Sequence, residues 1–115
     1  MTRPGEIYFA DLLDAGRRPV LIVSRESLNR GDYAVIVAFT TSRLSQRKQL
    51  PNCVFFNKGE FGLPADCVAQ CETLSTVPIE QLDTTSGPLG TLDELTLRGV
   101  IKAIGYVIES DCEPI

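Results

Sequence analysis

The sequence contains no histidine among its 115 residues. Histidine is the commonest general base, so any catalysis here must use carboxylate, arginine, lysine, hydroxyl or cysteine groups. Long apolar runs are also missing, and no run approaches the roughly 20 residues that span a bilayer. Residues 1–14 lack the apolar core and the small-residue cleavage site of a signal peptide. We therefore expect a cytoplasmic protein without a membrane segment.

Metal-binding cysteine motifs are absent as well. The four cysteines show no C-x-x-C spacing, and a zinc site without histidine would need an unusual set of cysteines alone. Cys67 and Cys71 are four residues apart, which places both on one face of a strand. We expect the cysteines to be reduced and buried as small apolar side chains: Cys53, Cys67, Cys71 and Cys112.

An overall positive charge is missing too. The net charge is −4 and the pI is near 4.7, which excludes the basic footprint of a nonspecific nucleic-acid binder. Any contact with nucleic acid therefore depends on a local basic patch. Arg43, Arg47 and Lys48 supply such a patch within residues 43–48, and the alternative interpretation is an ordinary solvated loop.

Several β-type runs are present, followed by one helical pattern. Alternating or continuous apolar residues, many of them β-branched or aromatic, predict strands over residues 6–12, 19–24, 33–42, 53–56 and 67–71. Polar residues, glycine and proline predict loops over 42–52 and 57–66. Residues 26–32 have room for one helical turn, and Pro78 limits residues 73–82 to at most a short helix.

The helical pattern lies near the C-terminal end of the sequence. Thr91 and Glu94 fit a capping box, and apolar residues then recur at three- and four-residue steps to about Glu109. No repeat, low-complexity tract or linker interrupts the chain, so residues 1–115 form one predicted domain. The expected fold is mainly β with a C-terminal helix (α+β), in which the helix packs on a small β-barrel or curled sheet.

Two adjacent arginines precede the second predicted strand, in the stretch GRRPVLIVS at residues 16–24. Pro19 restricts Arg18 to an extended backbone at the start of a buried strand. Arg17 should point to the opposite side of the strand, so only one of the two faces a given site. Two interpretations stay open: a surface ion pair, or recognition of a phosphate by the forked guanidinium. The carboxylates nearest in sequence are Glu6, Asp11 and Asp14.

Hydroxyl groups end the third predicted strand, in the stretch TTSR at residues 40–43. Thr40 and Ser42 share one face if the strand continues that far. Hydroxyls at the end of a strand bind a phosphate oxygen or simply close a turn. They are followed directly by the basic patch, so both features belong to one region of the chain.

An ordered set of segments resembles the MazF/PemK family, the toxin components of bacterial toxin–antitoxin pairs. Each segment is short, but their order and spacing are specific. The resemblance covers nearly the whole chain, through the terminal helix. The segments that carry it are residues 5–11 (GEIYFAD), 18–24 (RPVLIVS), 29–30 (NR), 35–42 (VIVAFTTS) and 62–68 (GLPADCV).

The resemblance implies a small SH3-like, CcdB-like β-barrel with a terminal helix, assembled as a homodimer. It also implies an endoribonuclease, an mRNA interferase, that cuts single-stranded RNA at short sequences without a metal or another cofactor. In that reaction the 2′-hydroxyl attacks the scissile phosphate and leaves 2′,3′-cyclic phosphate and 5′-hydroxyl ends. The implied partners are single-stranded RNA, a second copy of the chain and a cognate antitoxin, with operator DNA reached only through the antitoxin.

Roles for individual residues follow from the same resemblance. Arg18 resembles the family's catalytic arginine, Thr40 its catalytic threonine, and Glu72 an acidic residue that acts as a base or positions the substrate. An arginine and a hydroxyl can stabilise a pentacoordinate phosphorane without metal or histidine. The residues that the resemblance and the basic patch suggest as RNA-binding are Arg17, Ser42, Arg43, Arg47, Lys48, Gln70 and Thr73.

The chain departs from the family pattern at two points. The segment between Phe9 and Arg18 is short and lacks a Gly-Ser/His-Glu-Gln motif. In addition, Ser75 stands where many members have an arginine before the threonine that matches Thr76. Two alternative functions therefore stay open: a partner-binding, CcdB-like toxin that acts on DNA gyrase, and an inactive regulatory relative.

Overall fold

The computed structural model describes residues 2–12 and 15–109. Within these ranges the chain forms a six-stranded sheet and a longer C-terminal helix, connected by short turns. The strands are β1 (Glu6–Leu12), β2 (Gly16–Ile22), β3 (Tyr33–Thr40), β4 (Cys53–Phe56), β5 (Cys67–Pro78) and β6 (Gly90–Thr91). The helices are α1 (Glu26–Asn29), α2 (Leu44–Arg47) and α3 (Glu94–Val107), and 3₁₀ turns cover Glu60–Gly62 and Ile79–Gln81.

The sheet is antiparallel, with the strand order β4-β5-β3-β2-β1-β6. It curls because the chain that leaves β5 crosses to the outer edge of β1. There Leu82 bridges Ala10, and the amide of Asp83 donates to the carbonyl of Phe9 at 2.8 Å. This closure confirms the predicted small barrel, mainly β, with a C-terminal helix.

Apolar clusters fill both faces of the curled sheet. Successive side chains of a strand point to opposite faces, so continuous apolar runs supply both clusters. One cluster lies between the sheet and α3, where Leu21 and Val37 belong to the same core as Val100. The other lies on the opposite face and includes Val20 and Ile36. Since β2 contributes to both clusters, the prediction that its continuous apolar run is buried on both faces is confirmed.

The helix α3 confirms the predicted C-terminal helix, but its N-cap differs from the prediction. The Asp93 side chain accepts the Thr96 amide at 2.7 Å, whereas Thr91 pairs with Glu6 in the β1–β6 ladder. The predicted capping box is therefore wrong, because the ladder holds Thr91 in a strand before the helix begins. The helix ends at Val107.

β5 is longer than predicted and continues through residues 73–78, where the sequence indicated at most a short helix. The register of β5 against β3 shifts at a bulge beside Ala38. The Thr73 hydroxyl bridges the interruption in the hydrogen-bond ladder. It accepts a hydrogen bond from the Ala38 amide at 2.8 Å and donates one to the Gln70 carbonyl at 2.6 Å. Pro78 stands at the last position of the strand, where its missing N–H is tolerated.

The starts of β2 and of the basic patch also differ from the prediction. β2 begins at Gly16 rather than at residue 19, because its first residues pair with β1 as far as Leu12. Residues 42–52 contain α2 instead of a plain loop, and α2 follows Arg43 in the left-handed backbone region, with φ 53°. This residue turns the chain so that α2 folds back beside the end of β3.

Three cysteines confirm the expectation of buried, reduced thiols. Cys53, Cys67 and Cys71 are free and buried, and the last two belong to the same cluster beneath α3. Burial, reinforced by nearby acidic groups, raises the pKa of the Cys67 thiol to about 11 and that of Cys71 to about 12. These thiols are therefore protonated and unreactive at neutral pH. Cys112 lies outside the described residues.

The helices in the described part of the chain are short relative to a bilayer. None of them is both long and apolar enough to cross a membrane.

Candidate active site

The candidate site forms where β2 and β3 separate. The two strands pair from Ile22 opposite Ile36 to Val20 opposite Ala38. Pro19 comes directly before Val20 and has no N–H to extend the ladder. Beyond this point β2 remains paired with β1, whereas β3 remains paired with β5. The strands therefore diverge and leave an opening at this end of the sheet.

A cleft of about 300 Å³ occupies this opening. Its charged and hydroxyl-bearing lining residues are Arg17, Arg18, Thr40 and Thr41. Continuing the β2–β3 register by two residues past Val20 and Ala38 brings Arg18 level with Thr40. The structure thus brings together the two residues that the sequence analysis placed at the centre of the site.

Arg18 is half-buried at the cleft, and its guanidinium is only weakly engaged. Its Nη2 donates to the carbonyl of Ala15 at 3.3 Å, and its Nε is buried without a hydrogen-bond partner in the described ranges. Residues 2–12 and 15–109 offer it no ion pair. Of the carboxylates near in sequence, Glu6 accepts the Tyr8 hydroxyl, and Asp14 lies outside the described residues. Arg18 therefore has donors available for an anion.

Arg17, by contrast, is held by carboxylates. Its Nη2 lies 2.7 Å from Asp83 Oδ2, its Nη1 lies 4.0 Å from Asp11 Oδ1, and its guanidinium lies 4.9 Å from the centre of the Phe9 ring. The hydrogen bond from Arg17 lowers the pKa of the Asp83 carboxyl, assisted by the Thr85 amide. The prediction that only one arginine would face the site is wrong, because Asp83 holds Arg17 at the rim of the same cleft.

Thr40 ends β3 as a buried hydroxyl beside Ser42 and Arg47. β3 ends at Thr40 and does not continue to Ser42 as predicted, but the two hydroxyls still meet, with Oγ1 of Thr40 3.4 Å from Ser42 Oγ. Nη1 of Arg47, at the end of α2, donates to Ser42 Oγ at 2.7 Å, to the Ser42 carbonyl at 2.9 Å and to Thr40 Oγ1 at 3.3 Å. The basic patch therefore reaches the strand end through Arg47.

Of the other two cations of the basic patch, Lys48 lies beside strand β4. Thr40 and Phe55 both pair with Val68, so the three residues form one row across the sheet. The Lys48 ammonium lies 5.5 Å from the centre of the Phe55 ring, a cation–π distance. Arg43 is exposed. The row thus has a cation at each end, Arg47 beside the threonine and Lys48 over the aromatic ring.

Glu72 lies outside the cleft. It follows Val68 on β5 by four residues, which places it about 13 Å along the strand from the position opposite Thr40. Its carboxylate accepts hydrogen bonds from Asn52 and from Gln70, the latter at 2.8 Å. Partial burial alone would raise the pKa of Glu72, but these hydrogen bonds and the charge of Arg47 outweigh it and lower the pKa. The carboxylate is therefore ionised, but the structure does not bring it to Arg18.

Gln70 and Thr73 are engaged by the protein itself. Gln70 donates to Glu72, and the Thr73 hydroxyl is used in the β-bulge. The sequence analysis missed Asp83 as the partner of Arg17, because the two are far apart in sequence and no local motif connects them. It also missed Asn52, whose amide reaches Glu72 across the β4–β5 edge.

Residues 2–12 and 15–109 contain no group of three or more cysteine, aspartate or glutamate side chains that could hold a metal ion together.

The curled sheet, the C-terminal helix and the arginine–threonine cleft define a small barrel protein with a cationic site at one end. A family described as "PemK-like, MazF-like toxin of type II toxin-antitoxin system" matches residues 3–108. The relative "Endoribonuclease MazF" of Staphylococcus saprophyticus is 33% identical over 88 residues, which cover 71% of this chain and 72% of that protein. The chain therefore belongs to the PemK-like, MazF-like toxins of type II toxin–antitoxin systems.

Solved structures show the same architecture. The Mycobacterium tuberculosis toxin MazF-mt6 superposes with a TM-score of 0.75 and 25% identity, covering 90% of this chain and 96% of that one. An endoribonuclease in complex with its cognate antitoxin, from a mycobacterial species, gives a TM-score of 0.76 and 24% identity, with 95% and 96% coverage. The second likeness concerns the fold. The family resemblance seen in the sequence is thus confirmed.

Proposed function

We propose that this toxin, an endoribonuclease, cuts single-stranded RNA at the cleft between β2 and β3 and needs no metal ion to do so. One observation carries the proposal. Arg18 and Thr40 line the same cleft, and the described residues form no ion pair with Arg18, whereas its neighbour Arg17 is paired with Asp83. A forked guanidinium with available donors and an adjacent hydroxyl suit a phosphate group.

The proposed reaction is attack on the scissile phosphate by the neighbouring 2′-hydroxyl. A bond forms between the 2′-oxygen and phosphorus, and the bond to the 5′-oxygen breaks. The 2′-hydroxyl proton passes to water in the open cleft, and the leaving 5′-oxygen takes up a proton from water there. The products are a 2′,3′-cyclic phosphate and a 5′-hydroxyl.

Arg18 and Thr40 would act on the charge that develops in this reaction. The pentacoordinate intermediate carries more negative charge on its non-bridging oxygens than the substrate does. Donors already aimed at that position stabilise the transition state more than the ground state. The buried Nε of Arg18 lacks a partner among the described residues, so moving onto a phosphate would satisfy it.

The proposed path of the RNA follows the row from Thr40 to Phe55. Arg43 and Lys48 supply phosphate contacts beside Ser42 and Arg47, and Gln70 and Glu72 lie along β5 next to this row. A basic strip of this kind gives an acidic protein local affinity for nucleic acid, with a strong dependence on salt. Arg17 contributes positive charge for RNA binding at the rim of the cleft. Glu72 contacts flanking nucleotides rather than the scissile phosphate.

As a type II toxin, the protein has an antitoxin as its partner. We propose that residues 1–115 act as one domain, that the toxin works as a homodimer in the cytoplasm, and that it reaches operator DNA only through the antitoxin. α3 exposes Leu95, Ile101 and Tyr106, which is compatible with a protein partner on this helix. Sedimentation of the purified toxin would show a single species of twice the chain mass if the dimer proposal is right.

The test of the RNA proposal is cleavage of a long, unstructured RNA in EDTA by wild type, Arg18→Ala and Thr40→Ala. Arg98→Ala is the matched control, because Arg98 is exposed on α3 and pairs only with Glu94 among the described residues. We expect cuts with cyclic-phosphate and 5′-hydroxyl ends, reduced about 10²–10³-fold by either site variant and unchanged by the control. Folded wild type that leaves a diverse RNA intact would overturn the proposal and favour a gyrase-binding or an inactive toxin.

A further inference from the structure

We propose that Arg47 is a positioning residue that orients the Thr40 hydroxyl toward the cleft, rather than a ligand of the RNA backbone. This inference rests on the proposed function of Thr40. It starts from one nitrogen, Nη1 of Arg47, which reaches Ser42 Oγ, the Ser42 carbonyl and Thr40 Oγ1 at 2.7, 2.9 and 3.3 Å. The two shorter contacts fix the guanidinium on Ser42, and the longest extends it to Thr40.

The direction of the Thr40 hydroxyl follows from its hydrogen-bonding capacity. A hydroxyl has one hydrogen to donate and two lone pairs to accept with, whereas an arginine can only donate. Arg47 therefore donates to both hydroxyls, closely to Ser42 Oγ at 2.7 Å and at longer range to Thr40 Oγ1 at 3.3 Å, because the two hydrogens of Nη1 are shared among three acceptors. The two oxygens are 3.4 Å apart and either could donate; in the proposed arrangement Ser42 donates its hydrogen and Thr40 accepts it.

With both neighbours donating to it, Thr40 has only its hydrogen left to offer. In the proposed arrangement that hydrogen has no acceptor on Arg47, which leaves it free to point into the cleft that Thr40 and Arg18 both line. A hydroxyl committed in this way donates to a phosphate oxygen without first having to break a competing bond. Such advance orientation lowers the reorganisation that the reaction requires.

The local backbone holds Arg47 in this place. Arg43 adopts the left-handed conformation, with φ 53° and ψ 40°, at the start of α2. The four-residue helix then carries Arg47 back to the strand end, and its bond to the Ser42 carbonyl closes this turn. A non-glycine residue in this conformation is uncommon, and here it starts the turn that returns Arg47 to the strand end.

The test is a double-mutant comparison of single-turnover cleavage by wild type, Arg47→Ala, Thr40→Ala and the variant with both changes. A residue that acts through Thr40 loses its effect when Thr40 is absent. We expect Arg47→Ala to lower the cleavage rate constant about 10- to 100-fold in the wild-type background, and to leave the residual rate of Thr40→Ala unchanged. An equal reduction in both backgrounds would overturn the inference.

RNA binding separates positioning from direct contact. The probe is an RNA carrying a 2′-deoxy nucleotide at the mapped cut site, which binds but cannot be cut. We expect Arg47→Ala to change the affinity of the protein for this RNA less than twofold. Lys48→Ala is the control, because it also removes one positive charge; we expect it to weaken binding and to reduce the salt slope by about one. Weakened binding and a lower salt slope for Arg47→Ala as well would make Arg47 an RNA ligand.

Two further measurements keep the result interpretable. Arg47→Lys retains the charge but not the planar fork, so we expect it to remain slow if orientation matters; full activity would show that charge alone suffices. Thermal unfolding checks that each variant is folded. If Arg47→Ala does not fold, Ser42→Ala tests the same arrangement, because it removes the hydroxyl that holds Arg47 beside Thr40. Cleavage that persists in Arg18→Ala would instead overturn the proposed active site, whatever Arg47 does.

Discussion

Arg17 Nη2 and Asp83 Oδ2 lie 2.7 Å apart, although 66 residues separate them in the sequence. This ion pair divides the labour of two consecutive arginines. It ties Arg17 to the outer edge of β1 and leaves Arg18, which has no such partner in the described ranges, facing the cleft. The ion-pair interpretation therefore applies to Arg17, and recognition of a phosphate is the role proposed for Arg18.

The first prediction concerns this division. We expect Arg17→Ala to lower kcat/KM less than tenfold and mainly by raising KM, because Arg17 is already engaged and lies at the rim. Arg18→Ala should lower kcat about 10²–10³-fold, because it removes a donor to the developing charge. Steady-state kinetics on one short RNA substrate measures both. Equal losses of kcat in the two variants would contradict the assignment.

How far the sequence could predict the fold depends on the range of each interaction. The sequence predicted the strands, the helix and the burial of β2 on both faces, with Val20 on one and Leu21 on the other, because alternation and helical periodicity are local signals. The bulge at Thr73 was not, because it depends on the register against β3. The same holds for the N-cap, since pairing with Glu6 places Thr91 in β6 and leaves Asp93 as the cap.

The site divides in the same way. The link between Arg18 and Thr40 came from a family resemblance, and the structure places both residues at one cleft, just beyond the last β2–β3 pair. Glu72 lies apart from these two residues because it is four residues farther along β5 than Val68, the partner of Thr40. No local sequence pattern could show this separation. The partners of Arg17 and Glu72, Asp83 and Asn52, come from distant segments that meet only when the sheet curls.

A second prediction concerns Gly99 in α3. This glycine is exposed, and a Cβ added there would meet no atom within 4 Å, so it does not serve close packing of the helix on the sheet. We expect Gly99→Ala to raise the free energy of unfolding by about 0.5–1 kcal/mol, because alanine is the better helix former. Chemical denaturation measures the change.

Gly62→Ala provides the contrast for Gly99→Ala. Gly62 has a φ of +77°, and an added Cβ would lie 2.0 Å from the Leu89 carbonyl oxygen. We expect this variant to be clearly less stable than wild type. If Gly99→Ala also lowered stability, the exposed face of α3 would have a contact that the described residues do not supply.

A third prediction follows from the lowered pKa of Glu72. A carboxyl whose pKa is lower in the folded state than in the unfolded state stabilises the fold above its unfolded pKa. This contribution is lost as the pH falls from the ordinary value of 4.5 through the lower folded value. Glu72→Gln should therefore be less stable than wild type at pH 7, and the gap should close below pH 4.5. A gap that stays constant with pH would exclude ionisation as its source.

The last prediction separates a structural role from RNA binding at Thr73. Its hydroxyl accepts the Ala38 amide and donates to the Gln70 carbonyl, so it is already used twice inside the bulge. Thr73→Val keeps the shape but leaves both partners unsatisfied, at a cost of about 1–3 kcal/mol in the free energy of unfolding. The affinity for uncleavable RNA should keep the wild-type salt slope. Unchanged stability with weaker RNA binding would return Thr73 to the RNA path, with Thr76→Val as the control on the same strand.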